Sequence, residues 1–203
     1  MSIPIKAGLA SFGVSGKVFH APLLHVNPVF KLITILERNK SNSRNDYSYT
    51  KIVRNFDDLI KDKDIELIIV NTPDHTHYEL CKKALIAGKH VVVEKPFTQT
   101  TGQAEDLMEF SEKKNLVLSV FHNRRWDGDF LTVKKIIQSE KLGRLVNYEA
   151  HFDRYRNYIQ ENTWKEDSST GVGTLYNLGS HLIDQTLHIF GLPKSVYADI
   201  RAM

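Results

Sequence analysis

Short apolar runs, many of them β-branched, alternate with amphipathic stretches over the first 120 residues of this chain. Ile3 to Ala10 reads as a strand, a turn of glycines and small residues follows from Ser11 to Gly16, and a helix is expected from near Val18. Phe30 to Leu36 predicts a second strand ending at Glu37 and Arg38. Phe56 to Lys61 predicts a short helix, with Asp57 and Asp58 suited to the positive end of its dipole. Leu67 to Val70 predicts a third strand closed by Asn71, Thr72 and Pro73. The helix expected from His75 to Ala87 stops at Gly88, because glycine takes the left-handed conformation after a helix without steric cost. His90 to Val93, a helix from Thr101 to Asn115, and Leu116 to Val120 complete the series. Runs apolar on both faces imply a parallel sheet covered on both sides, and so an α/β fold with a doubly wound sheet. The polar stretch from Asn39 to Thr50 reads as a loop or a frayed helix.

Past Phe121 the pattern changes. Phe130 to Ser139 and Leu175 to Phe190 have helical spacing, Leu145 to Tyr155 alternates apolar and polar residues as a half-buried strand does, and Val196 to Arg201 opens a further strand. The expected division is a doubly wound domain over 1–121 and the start of a second, α/β or α+β domain over 122–203. Too few strands remain in the second half to make a sheet, so that domain reads as incomplete.

With 41% hydrophobic residues the chain can bury an ordinary soluble core. Its net charge of +3 is spread along the sequence, which argues against nucleic acid as a partner. Cys81 is the single cysteine, so an intrachain disulfide is impossible and a cytoplasmic location is expected. The N-terminus runs straight into a strand without a signal-peptide pattern, and no apolar stretch is long enough for a membrane span.

The chemistry gathers at the ends of the strands. Between Gly8 and Gly16 the spacing follows the dinucleotide fingerprint, except that Ser11 stands where the first glycine belongs. Phe12 and Gly13 lie within that turn, and backbone N–H groups at the helix start there can hold a pyrophosphate. Glu37 can accept ribose hydroxyls, whereas Arg38 beside it can pair with a 2′-phosphate, so NAD and NADP both stay open. Glu94, Lys95 and Pro96 follow a buried strand. A lysine at that end can aim its ammonium at a substrate oxygen, although a solvated surface charge is the alternative. Asn177 and His181 lie one helical turn apart and can share a face, with Gly171 to Thr174 as a flexible entry. A satisfied core histidine is the alternative for His181. His75, His77 and Cys81 lack a carboxylate or second cysteine to complete a metal site, and none is expected. Arg124, Arg125 and Trp126 suit a polyhydroxylated ligand or, equally, a solvated linker.

In this order, Gly13 and Gly16 with Lys17 to Pro22, Thr72-Pro73 with His77, Ala87 to Val91 leading into Glu94-Lys95-Pro96, and Gly171 to Asp184 resemble the Gfo/Idh/MocA oxidoreductases. Phe121 to Asp127 and His151 to Arg156 narrow the resemblance to a branch similar to the bacterial scyllo-inositol dehydrogenases. The resemblance implies a Rossmann domain followed by an α/β domain on a large open sheet. It implies hydride transfer between NAD or NADP and a sugar or inositol-type polyol, and a homo-oligomer in the full-length form. Thr72, Pro73, His77 and Glu94 would line the cofactor, and Arg124 and Trp126 the substrate. Lys95 would stand beside the nicotinamide, and His181 would be the acid or base. Asn177 occupies a position that is usually acidic in the family, so a nucleotide-binding chain without turnover is the competing expectation. Family members continue well beyond Met203, so a truncated chain is expected.

Overall fold

The computed structural model describes residues 3–153, 155, 157–158 and 173–201. The chain divides into two compact units, Met1–Phe121 and His122–Met203. Six parallel strands form one sheet in the first unit: β1 (Ile5–Leu9), β2 (Phe30–Leu36), β3 (Lys51–Val53), β4 (Leu67–Val70), β5 (His90–Glu94) and β6 (Leu118–Phe121). Their order across the sheet is β3-β2-β1-β4-β5-β6, so the winding direction reverses between β1 and β4. Successive side chains enter opposite faces. Ile68 and Val70 join one apolar cluster with Leu59 and Leu107, while Leu67 and Ile69 join another with Ala21 and Leu24.

Connecting helices start and stop where side chains satisfy their ends. Asn55 accepts the Asp58 N–H at 2.8 Å to open α2 (Phe56–Lys61). Thr100 accepts the Gln103 N–H at 3.3 Å to open α4 (Thr101–Lys113). After α3 (His77–Ile86), Gly88 takes φ +74° and donates to the Leu85 carbonyl at 3.0 Å. A wide π-type turn, Gly16–His20, precedes α1 (Ala21–Val26), and a second, Leu175–Gly179, precedes α6 (Ser180–Phe190). Turns of this kind collect at functional sites, and both lie on segments singled out for chemistry.

Two expected strands need correction, and one strand was not expected. β3 falls directly after the polar stretch, at three residues too short to show a period. Within 39–50 the regular element is a 3₁₀ turn at Asn42–Asn45. Leu145 to Tyr155 and Val196 to Arg201 form no strand among the described residues, and Val146 and Val196 are about four-fifths exposed at 80% and 81%. Alternation reports which face a residue would turn inward, but a strand also needs a neighbour to bond to. The second unit's described helices are α5 (Gly128–Gln138) and α6. Arg154, Arg156, Gly171 and Val172 lie outside the described residues. No helix among the described residues is long and apolar enough to cross a membrane.

Candidate functional site

In the first unit the site is the crevice where the sheet reverses direction, at the carboxyl ends of β1 and β4. Ser11 replaces the fingerprint's first glycine without loss of the turn, because its hydroxyl accepts the Gly13 N–H at 3.2 Å. The Lys17 N–H then reaches the Gly13 carbonyl at 2.9 Å and starts the helix. Gly16 is buried, and a Cβ there would run into the Ser11 carbonyl and meet the Asn71 amide nitrogen at 2.9 Å. At Gly13 a Cβ would meet only the Ser11 hydroxyl, at 3.5 Å, so its outer side is open. Gly16 is demanded by the turn's own packing, whereas Gly13 leaves room for a ligand. Asn71, just past β4, bridges the crevice by donating to the Ser11 carbonyl at 2.8 Å. Its buried Oδ1 has no partner among the described residues and is available to a hydroxyl donor. An open glycine cradle and a free buried acceptor fit a dinucleotide.

At the end of β2 the carboxylate of Glu37 is turned to the following loop. One oxygen accepts the Ser43 N–H at 2.9 Å and the Ser43 hydroxyl at 2.5 Å, and the other accepts the Asn42 N–H at 2.9 Å. Arg54 holds the same loop through the Glu37 carbonyl at 2.7 Å, the Lys40 carbonyl and the Ser41 hydroxyl. Glu37 is buried and Arg38 is exposed. The two neighbours therefore have separate duties, one shaping the loop and one presented from it.

His77 is held by two backbone carbonyls. It is 1% exposed, and its ring nitrogens lie 2.8 Å from the Pro96 carbonyl and 2.9 Å from the Thr72 carbonyl. It clamps the Thr72-Pro73 loop to the segment carrying Lys95, rather than presenting a free polar face. The Lys95–Pro96 peptide is cis, and Lys95 is half-buried directly after β5. Glu94, the last residue of β5, accepts the Ser15 hydroxyl at 2.5 Å and faces His20 Nε2 at 2.9 Å. Burial alone would push the Glu94 carboxyl up. The hydrogen bonds from His20 and Ser15 outweigh it and hold the group below its ordinary value.

The second unit carries the other candidates. His181 is buried on α6, and Asn177 is exposed on the wide turn before it, donating its N–H to the Gly173 carbonyl at 2.9 Å. Asp184, one turn past His181, receives Arg125 in a bidentate pair at 2.8 and 2.6 Å. That hydrogen bonding raises the Arg125 guanidinium above its usual range. Gln185 donates to the Arg124 carbonyl at 2.9 Å, so α6 is tied twice to the 3₁₀ turn Asn123–Trp126. Arg124 pairs with Asp127 at 2.9 Å and lies 5.1 Å over the Phe152 ring, and Trp126 is 76% exposed. Sequence reasoning did not single out Asn71, Ser15, His20 or Asp184, and it offered Arg125 to a ligand where the structure pairs it with Asp184. All of them sit inside motifs whose neighbours attracted attention.

A reversing parallel sheet with an open glycine turn at the reversal defines a dinucleotide-binding α/β protein. The family model described as an oxidoreductase family with an NAD-binding Rossmann fold matches residues 5–122, and the GFO/IDH/MocA C-terminal domain model matches 130–203. The chain is 48% identical to the uncharacterized oxidoreductase C115.03 of Schizosaccharomyces pombe, over 98% of this chain and 55% of that protein. It is 44% identical to the scyllo-inositol 2-dehydrogenase (NADP(+)) IolW of Bacillus subtilis, over the same shares of 98% and 55%. A crystal structure from Bacteroides fragilis superposes with a TM-score of 0.85 at 54% identity, covering 95% of this chain and 53% of that one. This chain belongs to the Gfo/Idh/MocA oxidoreductase family. It spans about half the length of the curated relatives it matches.

Proposed function

We propose that this chain is the nucleotide-binding portion, with part of the substrate-binding portion, of an NADP(H)-dependent oxidoreductase acting on a secondary hydroxyl of a cyclic polyol or sugar. The observation that carries the reading is the open cradle at the sheet's reversal, where Gly13 leaves room for a pyrophosphate and Asn71 offers a buried acceptor. The preference for NADP over NAD rests on Glu37. A carboxylate already accepting three hydrogen bonds from its own loop is a poor host for ribose hydroxyls. Exposed Arg38 then suits a 2′-phosphate through its planar donors. The likeness to IolW, whose name records NADP(+) and scyllo-inositol, supports both choices.

When bound, the nicotinamide ring exchanges a hydride with the carbon that carries the reacting hydroxyl. The chain's own residues do the rest. Thr72, Pro73 and His77 hold the loop after β4, with His77 as the clamp. Lys95 is assigned the polarisation of the substrate oxygen, and His181 the exchange of its proton. Asn177 can hydrogen-bond a hydroxyl but brings no negative charge to favour protonated His181. Arg124 and Trp126 are assigned to the polyol itself. Titration with NADPH and NADH, followed by nicotinamide fluorescence, tests the reading. NADPH is expected to bind at least about tenfold more tightly, and Arg38→Ala to erase the difference. Failure of both cofactors to bind at millimolar concentration overturns the proposal, and binding without polyol oxidation reduces it to a nucleotide-binding role.

A further inference from the structure

We propose that His20 and Glu94 are positioning residues for Lys95, a buried pair that couples the dinucleotide turn to the strand end from which Lys95 projects. The inference rests on the assignment of Lys95 and the glycine turn to the functional site.

Glu94 collects contacts from both sides of the crevice. Its Oε1 takes the Ser15 hydroxyl at 2.5 Å and His20 Nε2 at 2.9 Å, and its Oε2 takes the backbone N–H of Lys95 at 3.3 Å. Ser15 belongs to the glycine turn, and His20 ends the wide helical turn that follows it. One carboxylate thus bonds the segment that would cradle pyrophosphate and the backbone atom beside the Lys95 side chain. Both members are withdrawn from water, with side-chain exposures of 4% for His20 and 14% for Glu94. An ionised carboxylate only accepts, so His20 Nε2 carries the hydrogen in this contact. The His20 ring lies 4.3 Å from the Phe121 ring, and Phe121 is the register partner of Glu94 on β6. The imidazole is therefore set by packing on one side and by Glu94 on the other.

A carboxylate this buried is destabilising unless its donors are all in place. Loss of His20 frees Glu94 to turn, and Lys95, one residue on, loses the contact that fixes its N–H. Displacement of the glycine turn reaches Lys95 by the same path through Ser15. The pair thus transmits occupancy of the turn to the lysine without touching the ligand.

The test compares the chain with His20→Phe, His20→Gln and Ser15→Ala, all checked by thermal melting. Phe keeps the ring stack on Phe121 and removes the donor, whereas the Gln side chain can restore an N–H near the Nε2 position. Titration of Lys95 is followed by NMR of the 13C-dimethylated lysines without any nucleotide, and NADPH affinity is measured separately. His20→Phe is expected to move the Lys95 midpoint by about half a pH unit or more and to weaken NADPH about tenfold. His20→Gln should recover most of both, and Ser15→Ala should give a smaller change in the same direction. A Lys95 midpoint unchanged in His20→Phe and Ser15→Ala, or a Gln variant no better than Phe, overturns the proposal. If His20→Phe does not fold, Ser15→Ala decides alone, since it removes only a half-exposed loop hydroxyl. Failure of the unsubstituted chain to bind NADPH defeats the cofactor reading and leaves the Lys95 comparison standing.

Discussion

At the residue scale, two glycines in one turn are held for different reasons, and substitution separates them. Gly16 has no space for a side chain, because its Cβ would collide with the Ser11 backbone that the turn is built from. Gly13 has space that a ligand would use. Gly13→Val is expected to leave the melting temperature within about 2 °C and to weaken NADPH by more than about a hundredfold. Gly16→Ala should lower stability by about 1–3 kcal/mol as well as binding. Equal loss of stability in the two variants would count against this division. Glu94 makes a second prediction. Its carboxyl is held below its ordinary value in the folded chain, so it favours folding above the carboxyl range, and that contribution disappears as pH falls through the folded value. Urea denaturation between pH 7 and pH 3 should therefore show a steeper loss of stability below about 4.5 in the chain than in Glu94→Gln. Parallel curves would mean that the carboxylate is not held as the geometry indicates.

At the element scale, α6 is tied to the 3₁₀ turn Asn123–Trp126 through Arg125 and Asp184, and this pair is expected to matter for the second unit's stability. Arg125 is partly exposed, so the pair is screened and worth up to about 1 kcal/mol rather than a fully buried value. A double-mutant cycle with Arg125→Met and Asp184→Asn, read by urea denaturation, should give a coupling of that size. Additive losses would refute the tie. The same elements show what a sequence discloses. The β-branched runs at Leu67 and His90 carried their strands, and Gly88 its helix end, because burial on both faces and a left-handed backbone leave local signatures. Lys51–Val53 left none, since three residues on a sheet edge have no period to read. The strand expected from Leu145 failed for the opposite reason: its alternation was clear, but pairing is not a local property. Candidate chemistry divided likewise. Lys95 and Gly13 could be singled out as candidates from residue type and position, whereas the use of Glu37 by Ser43 and of His77 by two carbonyls depends on rotamers that no spacing encodes.

At the scale of the whole molecule, the single cysteine offers a direct reading of whether nucleotide binding stabilises the first unit. Cys81 is fully buried in α3 within the apolar cluster beneath β4 and β5, and burial pushes its thiol up to about 12. Attack by a thiol reagent at neutral or mildly alkaline pH then has to await opening of that core. A ligand that binds only the folded unit lowers the open population by the factor 1 + [L]/Kd, which is about 2.7 kcal/mol at a hundredfold excess over Kd. Where closing is fast relative to labelling, NADPH at that excess should slow Cys81 modification about a hundredfold. NADH at the same concentration should slow it much less if Arg38 reads the 2′-phosphate as proposed. Tryptophan fluorescence provides the contrast, because Trp126 and Trp164 both belong to the second unit's sequence. Labelling at the same rate with and without NADPH, under conditions where fluorescence shows the nucleotide bound, would place the binding site outside the unit whose core Cys81 reports.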